Sequence, residues 1–346
     1  MSKKFKYIAV VLGLFLLIGS IVGCGSTTAP KAQSDPKSTE PEFTLKFGHV
    51  EATSHAFQQT SEYFANEVNK KTKGRVKVSV FPNGQLGNEM AMLDSLRVGA
   101  IDFAIITTPN LTGHVPEIGI LSVPYMYKNA DHIYKVATDK VLFDKYNKLI
   151  QDKKLGFQLL TFLPNGLRNL YSNKEINNLN AVQGIKIRVM AAPIEAEVWK
   201  TLGAQPTTIP FGEVYTALQT NLVQGAENSA SSYLSAKHSE VAKFYNKTAH
   251  EWNFCEIFVA DKTWNKLPED LKKSIMEVIA TVPRYGLDKQ LDNDKKAIDE
   301  LVNKFGVKVV ELDTTPFRDK IKPIQDRLAK ELKEENTLAR IRELEK

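Results

Sequence analysis

An α/β fold in two lobes is predicted by three features of the sequence. Strand-like and helix-like patterns alternate from residue 43 onward. The order strand, helix, strand, helix, strand occurs twice, over 43–106 and over 185–227. The closing helix–strand joints also correspond, Leu96, Gly99, Ile101 and Asp102 in the first run matching Leu218, Asn221, Val223 and Gln224 in the second. Such alternation builds parallel sheets covered by helices on both faces, and ligands then sit beyond the carboxyl ends of the strands.

Ahead of this domain the chain carries an export signal. "MSKKFKYIAVVLGLFLLIGSIVGCG" has a basic start, an apolar run from Tyr7 to Ile18 and small residues before Cys24. That run is shorter than the about 20 residues a membrane-spanning helix needs. Ile21-Val22-Gly23-Cys24 resembles the lipobox of bacterial lipoproteins, in which the chain is cut before the cysteine and lipid is added to its sulfur. Residues 25–41 lack large apolar side chains, cannot repay the entropy of ordering, and read as a flexible tether. The only other cysteine, Cys255, lies in the apolar run "FCEIFVA" and reads as a buried thiol. With Cys24 lipidated, no disulfide can form within the mature chain.

The elements follow in order. "FTLKFGHV" (43–50) alternates as a strand. In "SHAFQQTSEYFANEVNKKTKG" (54–74), Phe57, Phe64 and Val68 share one helical face, Ser54 is a candidate cap and Gly74 is the stop. "RVKVSVF" (75–81) is a strand, "PNGQLG" a turn, "NEMAMLDSLRVG" (88–99) a helix and "AIDFAII" (100–106) a third strand. "GFQLLTFL" (156–163) is another strand, which puts Arg168 at or near its far terminus. In the second run, "IKIRVM" (185–190) is a strand, and Pro193 opens and Gly203 closes a helix. "AQPTTIP", "FGEVYTALQTN" and "LVQGAE" complete it as strand, helix and strand. Gly99 and Asn221 are residue types that tolerate the left-handed conformation after a helix. Further on, "LPEDLKKSIMEVIATV" is an amphipathic helix interrupted at Pro283, and "LDNDKKAIDELVNKFG" resumes the period to Gly306. "VKVVEL" is a strand, Thr315-Pro316 cap a last helix, and "KELKEENTLARIRELEK" reads as its solvated end.

Bulk numbers bound the function. The 346 residues are 42% hydrophobic and 25% charged, as in a folded domain. The net charge of +6 falls to 6 − 3 = +3 once Lys3, Lys4 and Lys6 leave with the signal, too little for nucleic acid. None of the six histidines forms an H-E-x-x-H pair, and no metal site is expected. A G-x-S-x-G elbow, a Walker loop and a G-x-G-x-x-G turn are all missing from the sequence, so neither catalytic residues nor a cofactor is expected, and the chain is not read as an enzyme.

Arg188 is the residue that asks for an explanation. It stands in "GIKIRVMAAP" among Ile185, Ile187 and Val189, a pattern that belongs in a core. A guanidinium cannot shed its charge, so Arg188 either faces water or meets an anion. Other strand-end segments worth searching are His49 to Ser54, Thr107 to Asn110 and Asn228 to Tyr233.

These residues fall into a family pattern. "FPNGQLGNEMAMLDSLRVGAIDFAI", "GLRNLYSNKEI", "LNAVQGIKIRVMAAP" and "LGAQPTTIPFGEVYTALQTNLVQGAENS" resemble the solute-binding proteins of tripartite ATP-independent periplasmic (TRAP) transporters, the DctP family. The resemblance runs from about Leu45 to the C-terminal helix. It implies a periplasmic-binding-protein-like fold with a ligand cleft between two lobes and a long helix spanning both. The implied boundaries are 1–23 signal peptide, 24–42 lipidated Cys24 and tether, 43–165 plus about 254–290 lobe I, and 166–253 plus about 291–346 lobe II. Arg188 matches the arginine that salt-bridges the ligand's carboxylate, Arg168 the arginine of the G-x-R-x-x-x-S-N segment, Asn228 the asparagine after "GAE", and Phe211 the aromatic of "PFGEVY". The anion that Arg188 awaits is then the ligand.

The family's sialic-acid binders carry an acidic residue and an arginine where Thr107 and Asn110 stand here, so sialic acid is not expected. Thr107, Thr108 and Asn110, with His49, Glu51 and His55, suit hydroxyl groups or a second carboxylate. Glu51 and Glu89 face either the cleft or solvent. A sugar acid or a C4-dicarboxylate is the expected ligand, and TRAP membrane subunits and a lipid anchor on the outer face of the cytoplasmic membrane are the expected partners. The alternatives are a receptor for a signalling ectodomain and a secreted two-lobed enzyme acting on a carboxylate.

Overall fold

Nine strands among the described residues form one sheet, in the order β2-β1-β3-β8-β4-β7-β5-β6, with β9 paired to β8. The computed structural model describes residues 40–345; the export signal, Cys24 and the tether up to residue 39 lie outside them. The first lobe's strands are β1 (Phe43–Gly48), β2 (Val76–Phe81) and β3 (Phe103–Thr107), parallel to one another. The second lobe repeats the arrangement with β5 (Lys186–Val189), β6 (Gln205–Thr208) and β7 (Gly225–Asn228). Two long strands, β4 (Phe157–Ser172) and β8 (Phe244–Ala260), run through both lobes antiparallel to β7 and β3 respectively, and β9 (Lys308–Val310) lies beside the start of β8.

Burial explains the strands. In β1, Leu45 and Phe47 are buried while Thr44 and Lys46 are exposed; β3, flanked on both sides, is buried throughout. The two runs match at the joint that the sequence singles out. Gly99 and Asn221 both take positive φ, 68° and 57°. Three residues later in β1–β3, Lys46 N donates to Asp102 Oδ2 at 2.8 Å and Asp102 N returns a bond to Lys46 O. In β5–β7, Lys186 N donates to Gln224 Oε1 at 3.2 Å and Gln224 N returns one to Lys186 O.

Helices cover both faces. They are α1 (Ala56–Lys71), α2 (Glu89–Val98), α3 (Thr108–Leu111), α4 (Ala130–Ala137) and α5 (Lys140–Asp152) in the first half. α6 (Pro193–Leu202), α7 (Val214–Gln219) and α8 (Ala230–Ser235) serve the second. α9 (Asp261–Trp264) and α10 (Glu269–Ile279) return to the first. α11 (Val282–Asn303) is 22 residues long, about 33 Å, and packs on α1 and α4 at one end and α8 at the other. Pro283 sits in its first turn, where a missing N–H does no harm.

Four local expectations are corrected. "GFQLLTFL" does not end at Leu163: the strand continues to Ser172, so Arg168 lies inside it. Pro164-Asn165-Gly166 makes a break in the β4–β8 ladder, between the pairs Pro164–Phe254 and Leu167–Trp252. The cap of α1 is His55, not Ser54; its Nδ1 accepts from Phe57 N. At α12 (Thr315–Glu331) the position before the first turn is Thr314, and the side chain that accepts from Thr315 N is that of Asp313. The C-terminal segment is no solvated continuation. The chain breaks at Lys333, φ 60°, and α13 (Glu335–Glu343) buries Thr337, Leu338 and Ile341, with His132 Nε2 2.8 Å from Ile341 O.

Candidate functional site

The carboxyl ends of β1, β3, β5 and β7 converge on one cleft. Its outer part, about 210 Å³, is lined among others by Asn83, Glu89, Asn110, Arg188, Thr208 and Phe211. A narrower inner part of about 30 Å³ continues from it past Glu51, Thr107, Asn165, Arg168, Asn228 and Asn253. Arg188, Arg168, Asn228, Phe211, Thr107, Asn110, Glu51 and Glu89 thus come together, from both lobes and from a crossing strand.

His49 and His55 do not line the cleft. His49 Nε2 lies 3.0 Å from Gln58 Oε1, and His55 is spent on the α1 cap and on Ser232 Oγ, 3.1 Å away. Burial drives both down to about pH 4, so both are neutral behind the wall. Thr108 also turns inward, donating to Glu256 and to Phe254 O.

The two arginines are buried alike and partnered differently. Arg168 donates from Nε and Nη2 to the Glu227 carboxylate, from Nη2 to Glu227 O and from Nη1 to Asn228 Oδ1. β4 and β7 are neighbours with Asn169 opposite Asn228, which is what brings Arg168 and Glu227 together. Burial opposes both charges, yet the pair wins: Glu227 is held well below the usual carboxylate range and Arg168 above its ordinary value. His250 Nε2 stands 3.4 Å from the same carboxylate.

Arg188 has a single hydrogen bond among the described residues, from Nε to Ile209 O at 2.8 Å. Its guanidinium carbon is 6.0 Å from the centre of the Phe211 ring. Both terminal nitrogens are left without a protein acceptor, and burial pushes the group's pKa down, the direction of a cation short of a counter-charge.

Glu89 closes the other side. Thr107 Oγ1 donates to it at 2.5 Å, and Asn110 Nδ2 donates as well, while Asn110 Oδ1 accepts from Ala191 N of the opposite lobe at 3.1 Å. Glu51 also reaches across, accepting from Ser232 Oγ at 3.0 Å; its Oε2 has no partner among the described residues, and burial lifts the carboxyl to about 7.

The contact of Ser232 with His55 resembles a nucleophile and its base, but the protonation is wrong for it. His55 Nδ1 accepts the Phe57 N–H, so the ring proton sits on Nε2 and points at Ser232. A donor cannot serve as a base, so this pair is not set up as a nucleophile and its base.

Asn165 and Asn253 line the inner part and escape sequence reasoning. Asn165 falls just past the predicted strand end at Leu163, which hides it. Asn253 sits in "EWNFCEIFVA", where an amide inside an apolar strand is the one signal available.

Comparison with known proteins places the chain among binding proteins. The family described as bacterial extracellular solute-binding protein, family 7, matches residues 47–332. A solute-binding protein of Roseobacter denitrificans is 32% identical over 302 residues, 87% of this chain and 92% of that one. The crystal structure of that TRAP periplasmic solute-binding protein, with bound L-galactonate, superposes with a TM-score of 0.78 over 84% of this chain and 99% of its own, at 31% identity. A TRAP protein from a Polaromonas species bound to D-erythronate gives 0.81 at 30% identity, covering 86% and 98%. One from a Bradyrhizobium species with D-galacturonate gives 0.82 at 27%, covering 87% and 99%.

Proposed function

The chain belongs to the DctP family, bacterial extracellular solute-binding protein family 7, and on that premise we propose that it captures a monoanionic sugar acid and hands it to the membrane subunits of a TRAP transporter. The observation that carries this is Arg188, buried, with both terminal nitrogens free of protein acceptors at the inner end of the cleft. A carboxylate fits that planar fork with two parallel hydrogen bonds, and the dry surroundings strengthen the pair. Asn228 Nδ2 and the Phe211 face complete the grip. Glu89, with Thr107 and Asn110, accepts from and donates to hydroxyls. A second carboxylate would meet the carboxylate of Glu89 rather than a cation, which favours a sugar acid over a C4-dicarboxylate. Arg168, already neutralised by Glu227, orients Asn228.

The lobes, 43–165 with about 254–290 and 166–253 with about 291–346, close about the crossing strands. A ligand shifts that equilibrium only as far as it prefers the closed form. Cys24 carries the lipid that keeps the receptor at the outer face of the cytoplasmic membrane. Among the described residues no helix is long and apolar enough to cross a membrane.

Calorimetry tests the reading, on protein unfolded and refolded first to strip carried-over ligand. L-Galactonate, D-erythronate and D-galacturonate are titrated beside succinate and malate. One sugar acid is expected to bind and the dicarboxylates not, with Arg188→Ala weakening binding roughly 10²- to 10³-fold. Binding that survives Arg188→Ala, or a dicarboxylate that outbinds every sugar acid, would overturn it.

A further inference from the structure

The inner end of the cleft holds polar atoms that an arginine–carboxylate pair does not use. β4 and β8 pair on either side of a break, and Asn165, Gly166 and Asn253 stand in it, outside the register. Asn253 is fully buried, and neither its Oδ1 nor its Nδ2 has a hydrogen-bond partner among the described residues. Asn165, 4% exposed, has a lone Oδ1 as well. Both residues line the inner cavity together with Arg168 and Arg188. Buried amides are paired with few exceptions, so three such atoms on two residues that line one cavity point to a partner that arrives with the ligand.

What these groups offer defines that partner. They are neutral, so they add nothing to the capture of charge. Asn253 gives a donor and an acceptor, and Asn165 gives an acceptor, the complement of an oxygen that both accepts and donates. The inner end, about 30 Å³, has room for two or so atoms of water size but not for a branched chain. An oxygen on the carbon next to a carboxylate is fixed one bond angle away from it, so whatever flanks the arginine fork meets that oxygen first. We propose that Asn165 and Asn253 form a subsite for the oxygen substituent on the carbon adjacent to the ligand's carboxylate, which makes the protein selective for 2-oxygenated acids over their 2-deoxy counterparts. The inference rests on the sugar-acid reading above.

The test is calorimetry on the full chain, refolded as before, with L-galactonate and D-erythronate each set against its 2-deoxy analogue. The oxygenated member of the pair that binds is expected to be about 10- to 100-fold tighter. Asn253→Ala narrows the gap to about threefold or less, by weakening the oxygenated acid and sparing the deoxy one. Should a thermal melt show Asn253→Ala unfolded, Asn165→Ala, which removes one acceptor, carries the same comparison. Equal affinities in the unaltered protein, or a preference that survives in the folded variants, would overturn the subsite while leaving the sugar-acid reading intact. Succinate binding in place of both pairs would overturn the two together.

Discussion

Arg168 and Arg188 are equally buried, but losing the charge relations of each has opposite effects on the empty protein. Glu227 anchors Arg168 through a two-pronged pair inside the sheet. Glu227→Ala leaves a buried guanidinium uncompensated and is expected to cost about 3–5 kcal/mol of stability, read as a shift of the urea midpoint at constant slope. Arg188 has no carboxylate of its own. Arg188→Met is therefore expected to leave the ligand-free protein unchanged or about 1–3 kcal/mol more stable while abolishing binding. A large destabilisation would show that Arg188 belongs to the framework. Arg188 was legible from sequence because a permanent charge amid Ile and Val has few explanations. The partnership of Arg168 with Glu227 was not, since 59 residues separate them and only the pairing of β4 with β7 joins them. Asn253 carries no charge to betray it.

At the scale of elements, local pattern was readable wherever a strand or helix ended on residues that fix their own geometry. The joints at Gly99 and Asn221, and the helix that opens at Pro193, follow from conformational preference and reappear in the structure. β4 shows where such reasoning stops, because the strand continues past Pro164 with β8 paired on either side of the break at Asn165 and Gly166. Gly166 matters there for a packing reason: a Cβ on it would lie 2.4 Å from Asp294 Oδ2, 2.7 Å from Gln290 Nε2 and 2.8 Å from Ser229 Cβ. Gly166→Ala is expected to destabilise by about 1–3 kcal/mol, as the backbone at Ser229 and two side chains of α11 must give way. A neutral result in urea unfolding would mean that Asp294 and Gln290 swing aside and the backbone at Ser229 yields freely. α13 was missed because its helix begins after a left-handed Lys333, a residue type that gives no stop signal, and because its buried residues are few among many charges.

Across the whole molecule, buried titratable groups set a pH optimum. Burial lifts Glu51 to about 7 and Glu195 and Glu256 to about 8, so each binds its proton more tightly folded than unfolded. Their contribution is fully present below the unfolded carboxyl value and lost as pH rises through 7 to 8. His49, His55 and His238 are pushed down to about 4, 4 and 3. Their contribution is full above the ordinary histidine value and lost as pH falls toward 4. Above pH 6.5 only the carboxyls still change, so the urea midpoint is expected to fall from pH 6.5 to 8.5. Glu256→Gln should shallow that fall; a midpoint flat across the window would mean these carboxyls are ionised in the fold.

The crossing strands also govern the order in which this chain can become a protein. β8 begins at Phe244 and supplies a strand to the first lobe's sheet between β3 and β4 and to the second's between β4 and β9. A nascent or partly exported chain that stops short of it owns neither core, however many of its other strands have emerged. Contacts between residues so far apart close slowly, so neither lobe's sheet is complete until β8 has emerged. Neither lobe can be cut out and expressed alone by truncating the chain at one point.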